Sequence, residues 1–150
     1  MRCVVQRVTE ASVSGGGEEI GRIGAGMMVL IGVSTEDGDA DLKYMAEKVP
    51  NLRIFDDENG VMNLSVMEAG GDILAVSQFT LMASTKKGNR PSYIKAAKPE
   101  ISVPLYEEFC SEMELAVNKP IQRGVFGADM KVRLLNDGPV TIFIDSKNRE

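Results

Sequence analysis

The chain has 150 residues, 43% of them hydrophobic and 26% charged, values that suit one globular domain and exclude intrinsic disorder. A net charge of −5 argues against broad, sequence-blind attraction to nucleic acid, DNA included. Histidine is absent, which excludes Ser-His and Cys-His nucleophilic pairs, imidazole general bases and His-ligated zinc.

The longest apolar run, residues 27–31, is far too short to cross a bilayer, and no signal peptide is visible after Arg2. A cytoplasmic protein without a membrane partner is therefore expected. Residues 1–14 alternate with the β-branched Val4, Val5, Val8 and Val13 and predict a strand. Arg7 lies in its middle, where a guanidinium faces water or, if buried, needs an anion or carbonyl oxygens around it. Gly15-Gly16-Gly17 predicts a hairpin turn, residues 19–23 the return strand, and residues 27–33 a central strand, together an antiparallel meander. Residues 37–41 offer several N-caps, after which Leu42, Met45, Ala46 and Val49 recur at helical spacing up to Pro50. Residues 52–55 and 61–64 flank a second hairpin with Asn59-Gly60 at its tip. The acids Asp56, Asp57 and Glu58 lack calcium-loop spacing and read as a solvated turn.

Gly70-Gly71 then opens the stretch around which the rest is organised. Ile73, Leu74, Ala75 and Val76 predict a buried strand, and polar Ser77, Gln78 and Thr80 gather at its far end around Phe79. Taken in isolation this is a strand emerging into solvent; if it stays buried, its hydroxyls and amide need partners. Just beyond, Lys86, Lys87, Arg90, Lys95 and Lys98 fall in a window, residues 73–99, that holds no Asp or Glu. Such a cluster is either a solvated face or a patch for a polyanion.

Pro99 introduces a second helix, with Val103, Leu105, Tyr106, Phe109, Cys110, Met113 and Leu115 mostly along one face and Asn118-Lys119-Pro120 as its stop. Residues 121–126, 130–135 and 140–145 predict three closing strands, the last two joined by a turn holding Gly138-Pro139. Cys3 and Cys110 match no metal or redox spacing and read as buried thiols. The class is α+β: a mainly antiparallel, barrel-like sheet with two packed helices in a single domain, residues 1–150.

Two segments carry the functional signal. Ser77-Gln78-Phe79-Thr80-Leu81 and Asn136-Asp137-Gly138-Pro139-Val140-Thr141 together resemble the D-aminoacyl-tRNA deacylase family. The likeness extends in register through Gln6-Arg7-Val8, Leu52-Arg53-Ile54-Phe55, Lys87-Gly88-Asn89-Arg90-Pro91-Ser92 and Phe126-Gly127-Ala128-Asp129-Met130. Met82-Ala83-Ser84 and Arg123 depart from the family's usual residues.

The resemblance implies hydrolysis of the ester joining a D-amino acid to the 3′-terminal adenosine of tRNA, and of mischarged glycyl-tRNA, with no metal or organic cofactor. It implies that backbone N–H groups around Phe79 and Thr80 hold the oxyanion and that Ser77 and Gln78 orient the adenosine. Thr80 hydrogen-bonds near the carbonyl, and the adenosine 2′-hydroxyl helps to activate water. Gly138-Pro139, cis in the family, projects two carbonyl oxygens into the partner subunit's site of a homodimer and rejects L side chains. The same resemblance implies that Arg7 holds that dipeptide and that Met130 is a pocket wall, the alternative for Met130 being a core residue. Lys86, Lys87 and Arg90 are candidate tRNA contacts. Two other functions fit the residues less closely: a small-molecule esterase with Thr80 as nucleophile, and a noncatalytic RNA-binding module.

Overall fold

The computed structural model describes residues 1–150. Strand β1 (Arg2–Gly15) is the axis of the sheet. Along one edge it pairs antiparallel with β2 (Glu18–Ile23) and β3 (Gly26–Gly32). These two continue a single register, Ala11 facing Ile23 and Val8 facing Gly26. The other edge of β1 pairs along its whole length with β8 (Met130–Asp145).

Strand β6 (Asp72–Ser77) lies beside β3, and β7 (Gln122–Arg123) beside β6, both in parallel rather than in the antiparallel pairing expected for most strands. Parallel pairing follows from the long excursions between them, since a hairpin cannot join parallel neighbours. Helix α1 (Asp39–Lys48) and the hairpin of β4 (Phe55–Asp56) and β5 (Met62–Leu64) separate β3 from β6. Helix α2 (Pro99–Val117) separates β6 from β7. Gly21 of β2 sits so close to Gln122 of β7 that an added Cβ would lie 3.3 Å from Oε1, so the sheet curls almost into a barrel.

This curl explains why residues 27–31 and 73–76 read as unbroken apolar runs. Met27, Val29, Ile31, Ile73 and Ala75 face the helices, where they pack with Leu42, Met45, Tyr106, Phe109 and Met113. Met28, Leu74 and Val76 face the barrel interior with Val8, Ala11, Val13 and Ile23. Strands covered on both faces lose the polar alternation of a half-exposed sheet. Helix α2 ends where expected: Asn118 turns left-handed (φ 52°), and its N–H caps the carbonyls of Glu114 and Leu115.

The closing strands differ from expectation. Residues 121–126 form a strand only at Gln122–Arg123, and the two strands expected over 130–145 are one. Gly138-Pro139 is not a hairpin turn. Gln6 faces Thr141 and Val8 faces Asn136, so Asp137, Gly138, Pro139 and Val140 bulge outward opposite the single residue Arg7. The bulge is wide enough to leave both flanks paired to β1. The outer edge of β8 pairs with nothing in the chain and exposes Val132, Leu135 and Phe143.

Candidate active site

Strand β6 delivers Ser77 and Gln78 to the rim of a cavity of about 480 Å³, a volume suited to a small ligand. Ile31, Val76, Tyr106, Phe126 and Met130 give it apolar walls, and Ser77, Gln78 and Asp129 bring polar atoms. Immediately past Gln78 the backbone does not run on as strand. It tightens into a 3-10 turn, Phe79–Met82, closed by Leu81 N–H to the Gln78 carbonyl (3.2 Å) and Ala83 N–H to the Thr80 carbonyl (3.1 Å). The first N–H groups of such a turn have no partner within it. Those of Phe79 and Thr80 accordingly donate to no acceptor in the chain, leaving two adjacent donors at the pocket mouth.

The turn is held from three directions. Gln78 N–H donates to the Ile31 carbonyl at 2.7 Å. Gly32 lets the turn lie directly on β3: a Cβ there would stand 3.0 Å from the Gln78 carbonyl oxygen and 2.9 Å from Leu81 Cβ. The Arg2 guanidinium donates to the Leu81 carbonyl (2.9 Å) while its Nε is paired with Asp145 (2.8 Å). That pairing, together with the Lys147 N–H, holds the Asp145 carboxyl below its ordinary value despite the opposing effect of burial. Neither Gly32 nor Arg2 is marked by any local sequence pattern. A glycine ending a strand and an arginine starting one are commonplace, and their role exists only where β1 and β3 meet the turn.

Thr80 has no base beside it. Its Oγ accepts a hydrogen bond from the Gln78 side-chain amide, a donor that cannot take the hydroxyl proton. The cysteines are equally unsuited to attack: burial pushes the Cys3 thiol up to about 12 and the Cys110 thiol up to about 11. No group of three His, Cys, Asp or Glu side chains is placed to hold a metal ion. In the acidic turn, the Asp57 carboxylate closes the hairpin by accepting the N–H groups of Asn59 and Val61.

The sequence-predicted residues fall into three places. Ser77, Gln78, Phe79 and Met130 line the cavity, with Thr80 next to them on the turn. Arg7, Gly138 and Pro139 lie together elsewhere, along β1 and β8, and do not line this cavity. Arg7 is 8% exposed, which excludes the water-facing alternative. Its Nε donates to the Asp137 carbonyl (3.0 Å), and Nη1 donates to the Ile54 carbonyl (2.7 Å) and to Asp56 (3.2 Å). Its contact with the dipeptide is therefore through the peptide just before Gly138. The Gly138-Pro139 bond is cis, and Gly138 has a φ of 123° that a side chain would strain. Both residues are exposed. Lys86, Lys87 and Arg90 occupy a third place, an exposed loop whose ends are joined by paired backbone bonds between Ser84 and Ser92.

The residues that depart from the family pattern have structural roles. Arg123 bridges Glu107 (3.0 Å) and Glu114 (2.9 Å) of α2, Met82 is buried, and Ser84 anchors the basic loop.

A family model described as D-Tyr-tRNA(Tyr) deacylase matches residues 4–145. A D-aminoacyl-tRNA deacylase of Bacteroides thetaiotaomicron is 63% identical over 150 residues, covering 100% of both chains. One of Parabacteroides distasonis is 61% identical over the same span. Among solved structures, one named c-Myc DNA Unwinding Element Binding Protein superposes with a TM-score of 0.90 at 44% identity, covering 97% of this chain and 98% of the other. With a match that runs almost from end to end, the chain belongs to the D-Tyr-tRNA(Tyr) deacylase family.

Proposed function

We propose that the cavity beside Ser77–Phe79 receives the aminoacylated 3′-adenosine of tRNA and that the chain, an enzyme of the deacylase family, hydrolyses the ester of D-aminoacyl-tRNA. The observation that carries this reading is the pair of uncommitted N–H groups of Phe79 and Thr80, fixed at the mouth of a ligand-sized pocket. Such donors, preorganised where negative charge develops, are worth several kcal/mol to an acyl-transfer transition state. In the step itself a water oxygen attacks the ester carbonyl, and the oxygen of that carbonyl gains negative charge facing the two N–H groups. The bond to the adenosine 3′-oxygen then breaks, the 3′-oxygen takes a proton, and the free D-amino acid leaves. Because Thr80 faces an amide donor, water rather than threonine is the nucleophile in this reading, with the adenosine 2′-hydroxyl helping to activate it. Ser77 and Gln78 orient the adenosine, and Met130 bounds its pocket.

Selection against L-esters is assigned to Gly138-Pro139 acting in a second copy of the chain. Two features support this: the dipeptide is exposed and away from its own cavity, and β8 presents an unpaired edge with exposed Val132, Leu135 and Phe143. Carbonyl oxygens set against the α-carbon accept the substrate ammonium and leave room only for hydrogen. Glycine passes the same filter, so mischarged glycyl-tRNA is a substrate as well. The working protein in this reading is a cytoplasmic homodimer whose one domain spans residues 1–150, with Lys86, Lys87 and Arg90 contacting the tRNA. Duplex DNA is no part of it, the chain being net negative.

The decisive experiment is deacylation of matched D- and L-tyrosyl-tRNA without added metal, alongside sedimentation. Release of D-tyrosine with the L-ester largely intact, from a species of twice 16.3 kDa, is expected. Equal rates on the two enantiomers would sink the chiral reading, and a fully active monomer would sink the cross-subunit one.

A further inference from the structure

The mouth of the cavity does not end at Phe79. Its ring, 56% exposed, meets Tyr93 edge-on with centroids 5.1 Å apart. Tyr93 is 40% exposed, and the adjoining Ile94 is 84% exposed. This exposure belongs to a held backbone rather than a loose loop. Ser92 is doubly bonded to Ser84 (2.8 and 2.9 Å) on one side. On the other, the Lys95 carbonyl accepts Thr35 N–H (3.0 Å) and Ala97 N–H donates to the Val33 carbonyl (2.9 Å). Tyr93 and Ile94 are thus fixed at the surface, where they lose little conformational freedom on binding a ligand.

The charges around them point to the ligand. Residues 73–99 contain no acid, and Lys86, Lys87, Arg90, Lys95 and Lys98 flank the pair in sequence. None of these five cations takes part in an ion pair; elsewhere Lys43, Lys48, Arg53, Arg133 and Arg149 are also unpaired, but only this window is free of acids as well. Aromatic and apolar side chains set among unpaired cations, in a chain that is otherwise net negative, are how proteins hold single-stranded nucleic acid: bases stack and phosphates are neutralised.

We propose that Tyr93 and Ile94, continuous with Phe79 and flanked by Lys95, form a second subsite that stacks the unpaired nucleotides preceding the terminal adenosine. This inference rests on the deacylase reading and deepens it. The cavity takes the esterified nucleoside, and the ledge beside it takes the single-stranded tail, so that RNA length beyond one nucleotide contributes to turnover.

The test compares wild type, Tyr93→Ala and Ile94→Asp on two substrates: D-tyrosyl-tRNA and the minimal ester 3′-O-D-tyrosyl-adenosine. Stacking of one base on an aromatic ring corresponds to at least ~5-fold in kcat/KM, the low end of its range. Each substitution should cost at least that much on the tRNA, while the ratio of the two substrates' kcat/KM moves toward the adenosine ester. Losses of equal size on both esters would show that Tyr93 merely braces Phe79, and full activity on tRNA would show that the ledge touches nothing. A Tyr93→Ala protein sedimenting at half the wild-type mass would assign the surface to a second copy of the chain. Each of these results overturns the subsite alone. A wild type inactive on both esters instead overturns the deacylase reading, and the subsite with it.

Discussion

The turn at Phe79–Met82 and the bulge at Asp137–Val140 are both short irregular segments next to a strand, yet they are built in opposite ways. The turn grows from a strand buried on both faces and is held by Ile31, Gly32 and Arg2, through backbone contacts for the most part. The bulge stands on the outermost strand, is exposed, and is fixed to the body of the chain by the guanidinium of Arg7. In the proposed function, the difference follows from what each is asked to do. Donors for a developing charge must not move, so the scaffold over-determines them. On that reading a segment that completes a neighbour's site must protrude, so it can be braced only from behind.

The largest expected effect breaks the rigid half of this contrast. In Gly32→Ala the new methyl meets the Gln78 carbonyl and Leu81 Cβ, atoms close to backbone that cannot swing away. A displacement near 1 Å in a catalytic turn costs on the order of 100-fold. The loss should fall on kcat rather than KM for D-tyrosyl-tRNA, with circular dichroism unchanged. An unchanged kcat would show that the turn tolerates displacement.

Next comes the braced half. Arg7→Ala removes charge-assisted bonds to the Asp137 and Ile54 carbonyls. One such bond is worth roughly 1.5–3 kcal/mol, so the D-to-L rate ratio should fall about tenfold or more. Unaltered selectivity in a folded, dimeric variant would remove Arg7 from the filter. The turn would then be the only part of the site under tight control.

A smaller change is expected at Thr80, whose hydroxyl is held by Gln78 but has no base. Thr80→Ala should keep activity within about tenfold of wild type, losing one neutral hydrogen bond. Removal of the substrate's 2′-hydroxyl should cost more, measured by single-turnover deacylation of a 3′-linked ester. A covalent acyl-threonine trapped during turnover would reverse that order and make the turn a nucleophile rather than a cradle.

The mildest effect is one of pH on stability. Burial raises the Asp41 carboxyl, but bonds from Lys147, Ser146 and the Gly38 N–H outweigh it and hold the group at about 2. A carboxyl depressed in the folded state adds stability above its unfolded value near 3.8 and loses it as pH falls toward 2. Asp145, also depressed, shares that direction and braces Arg2 behind the turn. Thermal unfolding should therefore soften over that acid window, and Asp41→Asn should flatten the dependence. Its failure to do so would place the acid-labile contact elsewhere.

Much of this was legible in the chain itself. The buried strand before Ser77 shows in four successive apolar residues, the helices in their spacing and stops, and the two motifs in residues that are local in sequence. The parallel pairing of β3 with β6 was not, because a short apolar run reads alike in either direction. Nor was the single long β8, since Gly138-Pro139 between two strand-like runs has the composition of a hairpin turn. Only the continuous pairing of its flanks to β1 shows it to be a bulge. Arg7 could be read as wet or buried until Asp137, Ile54 and Asp56 were brought to it from distant parts of the chain. The same holds for Gly32 and Arg2. Local sequence determined which segments are strand, helix and polar tip, because those depend on neighbours a few residues away. Tertiary structure decided which backbone donors remain free and which side chains hold them, because those depend on contacts between residues far apart in the chain.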